Sequence, residues 1–193
     1  MTQNYDIDTY QTALVNSFKQ LDQKALDRFG VWCCHALTMY PRVFDFSDRL
    51  VTGIPGLREK ILLNLQNIWD FKPYDPEFLK RLVDADSIDW DYDDIDDRDD
   101  AAAVGLEYLL GAVYLLGQWK ATNDIADLTG CAEQLVNWVD YLEQFELIAV
   151  DLSAAPFQVE AAAQIQFLED LKNNTVTSTD MFKYHEWLAK NFK

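Results

Sequence analysis

The sequence predicts an all-α fold: a single domain, residues 1–193, of six to eight helices bundled around one apolar central helix. Three observations predict it. Apolar residues recur every three or four positions along nearly the whole chain, the period of a helix face buried on one side. Seven Gly and five Pro are too few for the many reversals of a β-sandwich. Residues Ala101 to Trp119 are nearly all apolar or small, a pattern that suits a helix enclosed by others. The length of 193 residues provides one sizeable core without requiring a second.

Ile7, Tyr10, Leu14, Phe18 and Leu21 mark the first helix. Phe29, Trp32, Cys33, Ala36, Leu37 and Tyr40 mark a second, stopped by Pro41, which has no N–H to donate. A short amphipathic piece spans Val43 to Val51, and Gly53-Ile54-Pro55-Gly56 turns the chain into the stripe Leu57, Ile61, Leu65, Ile68 and Trp69. Asp75 caps and Pro76 opens a short helix reaching about Val83.

The central helix is expected from about Asp99 to Ala121. Thr122-Asn123-Asp124 turns and caps the next, which carries Ile125, Leu128, Leu135, Trp138, Val139, Leu142 and Phe145. Phe145 to Leu152 reads as a fraying helix end or coil, because a lone strand there has no visible partner. Pro156 opens a helix with Phe157, Ala161, Ile165 and Leu168; a polar linker, Asn173 to Thr179, leads to a last helix from Asp180 to Phe192.

Composition narrows the function classes. With 49% hydrophobic and 13% aromatic residues, the chain buries too much apolar surface to stay disordered. A net charge of −17, from 33 acidic and 16 basic side chains, argues against direct nucleic-acid binding, which needs clustered Lys and Arg. Cys33, Cys34 and Cys131 are an odd count in no disulfide pattern, and the N-terminus has neither a basic nor an apolar signal region; both suit a reducing cytoplasm. Glu107 interrupts the apolar segment, where a carboxylate costs roughly 3 kcal/mol on insertion scales. Ten Asp lie just before it, so a core helix is expected rather than a membrane span.

The acidic run is the outstanding motif. Residues 84–100 hold ten Asp and one Arg, a charge of −9 within 17 residues. Such density repels itself and needs relief by solvent, a cation or a basic partner. A solvated loop is one reading, with Asp99 and Asp100 favoured at the N-terminus of the following helix by its dipole. A calcium loop is another: Asp89, Asp91 and Asp93 have the spacing, with Asp97 and Asp100 further on. However, Asp94 stands where the loop needs Gly, and a short Asp replaces the bidentate Glu. The third is a protein-binding surface. Asp89, Trp90, Asp91, Tyr92, Asp93, Asp94, Asp96 and Asp97 alternate or join charge with the aromatics that interfaces use as anchors.

The catalytic inventory is thin. No nucleophile elbow, phosphate-cradling Gly loop or Glu-x-x-His pair is present. His185-Glu186 begins like a zinc-protease helix, but Ala189 occupies the second ligand's place. Cys33-Cys34-His35 resembles a metal cluster, yet successive helical residues point about 100° apart, and Cys33 lies on the apolar stripe. Glu107 is read as reaching a helix edge or pairing with a base rather than as a buried catalytic acid. No catalytic residue, metal or cofactor is assigned.

The segment Phe29 to Phe46, with its aromatic helix, Met39-Tyr40-Pro41 stop and following aromatic turn, resembles the bacterial YjaG-like family. Ile61 to Trp69 is similar to that family's Ile- and Leu-rich helix ending in Trp, and the acidic stretch before an Ala-rich central helix has a counterpart there. The resemblance covers most of the first 145 residues; Asp96-Asp97-Arg98 departs from the aromatic and Gly residues expected at that point. It implies a cytoplasmic all-helical fold of uncharacterised function with a link to signalling.

The expectation is a non-catalytic acidic protein that binds a basic protein partner. An immunity or inhibitor protein facing a nuclease-type toxin is its most concrete form, since nuclease sites are basic in order to hold phosphate. A signalling accessory or adaptor and a metal-binding protein using the Asp run are the alternatives.

Overall fold

The computed structural model describes residues 5–51, 53–82, 100–148 and 155–192. Among them are nine α-helices and one 3-10 turn, without a named strand. They are α1 Ile7–Phe18, α2 Gln23–Leu37, α3 Pro41–Leu50, α4 Leu57–Trp69, α5 Pro76–Arg81, α6 Asp100–Thr122, α7 Ile125–Gln144, α8 Pro156–Lys172 and α9 Glu186–Asn191. The all-α bundle around an apolar central helix is the fold the sequence predicts. The nine among the described residues exceed the six to eight expected, and two of them, α5 and α9, are only six residues long.

Capping sets most of the helix starts. The carboxylates of Asp6, Asp22, Asp75 and Asp124 each accept a backbone N–H of the first turn of α1, α2, α5 and α7. Asp22 starts α2 ahead of Phe29, the first residue of its apolar stripe, so that Gln23 to Arg28 also lie in the helix. Pro41 opens α3 rather than stopping α2, which has already ended at Leu37; its missing N–H is one the first turn leaves unpaired in any case. The last segment splits into a 3-10 turn, Asp180–Phe182, and the short α9. Between α7 and α8, Ile148 makes an isolated antiparallel bridge to Phe192.

Helix α6 is the axis. It is long and apolar enough to cross a membrane by length and composition, but here it packs against α2, α3, α5 and α7. Two glycines permit the closeness. A Cβ on Gly105 would stand 2.9 Å from Val43 of α3 and 3.0 Å from Trp138 of α7, and one on Gly117 would stand 2.9 Å from Leu79 of α5. The short Asn123–Asp124 connection makes α6 and α7 antiparallel neighbours, as the contact of Tyr108 with Trp138 requires.

A second focus lies around α2. Trp32 stacks on Phe167 of α8 at 4.5 Å and on His185 at 3.9 Å, and its indole N–H donates to the Lys183 carbonyl at 2.8 Å. Trp69 donates to the Ser178 carbonyl, and Asp170 accepts from Lys183 and Tyr184. Apolar stacking and hydrogen bonds together hold the C-terminal segment over α2 and α8. Asp27, buried on α2, accepts from the Trp119 indole at 2.9 Å and from Lys120 at 2.6 Å, tying α2 to α6.

Candidate functional site

Asp89, Trp90, Asp91, Tyr92, Asp93, Asp94, Asp96 and Asp97 lie outside the described residues, as does the calcium-loop spacing apart from its last member, Asp100. Asp100 opens α6 and is exposed, and there its charge meets the positive end of the helix dipole. Beyond it, α6 and α7 carry further acidic and aromatic side chains on their outer face.

Tyr108 and Tyr141 are half-buried there, and Trp138 lies fully buried beside them, stacked on Tyr141 at 5.6 Å. Phe145 packs on Tyr141 at 4.5 Å while remaining 55% exposed. Desolvation first, and then the charges of Glu107 and Asp140, raise the Tyr108 phenol above its ordinary pKa. Tyr141 is raised likewise by burial and then by Asp100. Both rings therefore stay protonated hydrogen-bonding groups in a negative field.

The outward ridge of α7 runs through Glu133, Asn137, Asp140 and Gln144, three or four residues apart. On one side lie Tyr141, Phe145 and, across on α6, Tyr108. On the other a groove of about 260 Å³ is lined by Ile7, Val136, Asn137, Asp140 and Phe157. Ile7, expected on the buried face of α1, is 50% exposed at this groove, and Phe145, expected on the buried stripe of α7, is the exposed C-cap residue. Periodicity placed both at the edge of an apolar arc, where the neighbouring helix does not cover them.

Charge is segregated along the sequence. Residues 84–146 carry 17 carboxylates and two basic side chains, so they hold −15 of the −17. Helix α7 contains no Lys or Arg, and Lys120, the one basic residue of α6, is held by Asp27.

The other sequence candidates have structural places. Cys33, Cys34 and Cys131 are buried free thiols. Burial pushes the Cys33 and Cys131 thiols well up, which keeps them unreactive. His35 turns away from them to meet Phe182 edge-on at 4.3 Å. Glu107 is exposed, as a helix-edge residue should be. Among the described residues no three His, Cys, Asp or Glu side chains gather where they could hold a metal ion.

Sequence reasoning missed one polar cluster. Glu160 and His185 are both fully buried, with Glu160 Oε1 3.2 Å from His185 Nε2 and accepting from Gln164 Nε2 at 3.1 Å. Gln164 in turn accepts from the Tyr10 hydroxyl at 2.6 Å. The signal was present in α8, where Glu160 and Gln164 follow the same i, i+4 line as Phe167 and Leu168. Its bonds join α1, α8 and the C-terminal segment.

Compared with protein-family models, curated proteins and solved structures, the chain has no match. The resemblance to the YjaG-like family thus rests on the sequence pattern alone.

Proposed function

We propose that the chain is a non-catalytic acidic binding protein that occupies a basic protein partner, in its most concrete form an immunity or inhibitor protein neutralising a nuclease-type toxin. The observation that carries this reading is the charge segregation in the sequence, −15 within residues 84–146, a span that also holds the exposed ring of Phe145 at the end of α7. A field of one sign steers an oppositely charged protein to the surface, and large rings beside the charge slow its departure. A nuclease presents the complementary surface, because its site must attract phosphate.

The test is surface plasmon resonance with purified cationic nucleases over the immobilised chain, alongside cleavage assays. At least one nuclease should bind and lose activity, with association falling steeply between about 50 mM and about 150 mM salt. Replacing Asp91, Asp93, Asp96 and Asp97 by Asn should slow association and flatten its salt dependence. Binding without inhibition removes the inhibitor form of the reading, and the lack of any binding removes the reading itself.

A further inference from the structure

We infer that the α7 ridge is the anchoring half of the interface and that it takes an amphipathic basic helix of the partner, laid across α7. This rests on the binding reading above and specifies where contact is made and by what shape. The ridge carries Asp140 at its crest, exposed and without a basic residue anywhere on its helix. On either side is an apolar seat: on one, Ile7, Val136 and Phe157 supply the apolar part of a groove that Asn137 and Asp140 border, and on the other is the ring face of Tyr141 with Phe145.

Scattered exposed apolar side chains are ordinary on a protein surface. Among the described residues five large apolar side chains are exposed, and two of them, Ile7 and Phe145, flank α7 with the Asp140 carboxylate between them. That order, apolar–acidic–apolar, is complementary to an apolar–basic–apolar segment. The two seats are separated by the width of α7, about 10 Å with side chains. A partner helix advances about 1.5 Å per residue, so residues seven apart, two turns along one face, span the distance. A Lys or Arg midway between them meets Asp140, its stem against the flanking rings and its charge on the carboxylate. The Tyr108 phenol lies within reach of the Asp140 charge and can donate or accept at the rim.

Fluorescence anisotropy with two labelled synthetic peptides of identical composition tests this. One is a Lys-rich helix with two Leu seven residues apart and Lys between; the other is its scramble, equally charged but without an apolar face. The ordered peptide should bind about tenfold more tightly at about 150 mM salt, where screening weakens contact by charge alone. Ile7→Ser, Phe145→Ser and Asp140→Asn should each remove most of that preference, while Asn substitutions in the Asp run should slow both peptides alike. Circular dichroism melts check that these exposed substitutions leave the fold intact. Equal affinity for the two peptides, unchanged by Ile7→Ser and Phe145→Ser but lowered by the Asp-run substitutions, overturns the anchor and leaves the acidic-binding reading standing. Failure of both peptides to bind even at low salt overturns both.

Discussion

Acid should weaken this fold through one imidazole before the carboxylates contribute. His35 sits in the last turn of α2, edge-on to Phe182, and burial first, with the nearby charge of His185 adding to it, lowers its pKa from 6.5 to about 4. The helix C-terminus would favour a protonated ring, but desolvation outweighs it. Above the unfolded value the ring is neutral in both states and contributes nothing. As pH falls below 6.5 the unfolded chain binds a proton that the folded chain refuses, so stability drops until the folded ring titrates at about 4. At about 1.4 kcal/mol per pH unit, the loss between about pH 7.5 and about pH 4.5 comes to about 2.5 kcal/mol.

The assay is urea unfolding at those two pH values for the native chain and for His35→Gln. Two other effects act in acid. Asp6, Asp70 and Asp180, held low mainly by hydrogen bonds, and Asp170, held low by bonds from Lys183 and Tyr184 despite burial, lose their contribution only as pH falls from about 3.8 through their folded values. Relief of self-repulsion acts in the opposite direction but is shared by both proteins. The difference between native chain and variant therefore isolates the ring. His35→Gln should lose about 2.5 kcal/mol less than the native chain on acidification. Parallel losses would refute the burial argument.

Two further predictions concern the packing around α6. Gly117→Ala should cost about 1–3 kcal/mol in a thermal melt, because the new Cβ meets the Leu79 Cβ, which cannot rotate away; Gly111→Ala, facing only the movable end of Gln134, should be nearly neutral. Asp27→Ala should cost about 2–4 kcal/mol in urea by leaving the partly buried Lys120 charge and the buried Trp119 N–H without their acceptor; Asp27→Asn, which keeps an acceptor for Trp119, should cost less.

The fold was legible because its signals are local. Stripes such as Tyr10, Leu14 and Phe18, or Ile61, Leu65 and Ile68, announce a helix and its buried face from within one segment. The early start of α2 was equally local but depended on reading Asp22 as a cap rather than on apolar spacing. The anchoring face was not legible. Ile7 and Phe157 are 150 residues apart, and Glu107 and Asp140 come together only because α6 and α7 fold back on each other. The sequence drew attention to charge where it is densest, in residues 84–100. The carboxylates that continue it are single residues among apolar neighbours until tertiary packing gathers them.

The division between run and ridge has a kinetic consequence for how such a protein would work. Charge acts over roughly a Debye length, about 8 Å at physiological salt, and so governs encounter, whereas ring burial acts only on contact and governs lifetime. A chain that placed all its carboxylates around the anchor would have to desolvate many of them on binding, at a cost that the pairing does not reliably return. Here ten Asp lie within residues 84–100, while the α7 ridge presents Asp140 between apolar seats. On this reading fast capture draws on the charge of the run, and the carboxylate desolvated at the anchor is that of Asp140. Selectivity can be set by what fits the two seats on either side of Asp140. The cores behind this face, with Trp138 locked between Tyr40 and Tyr141 and Glu160 bonded to Gln164, keep the seats rigid, so the ordering cost of binding falls on the partner.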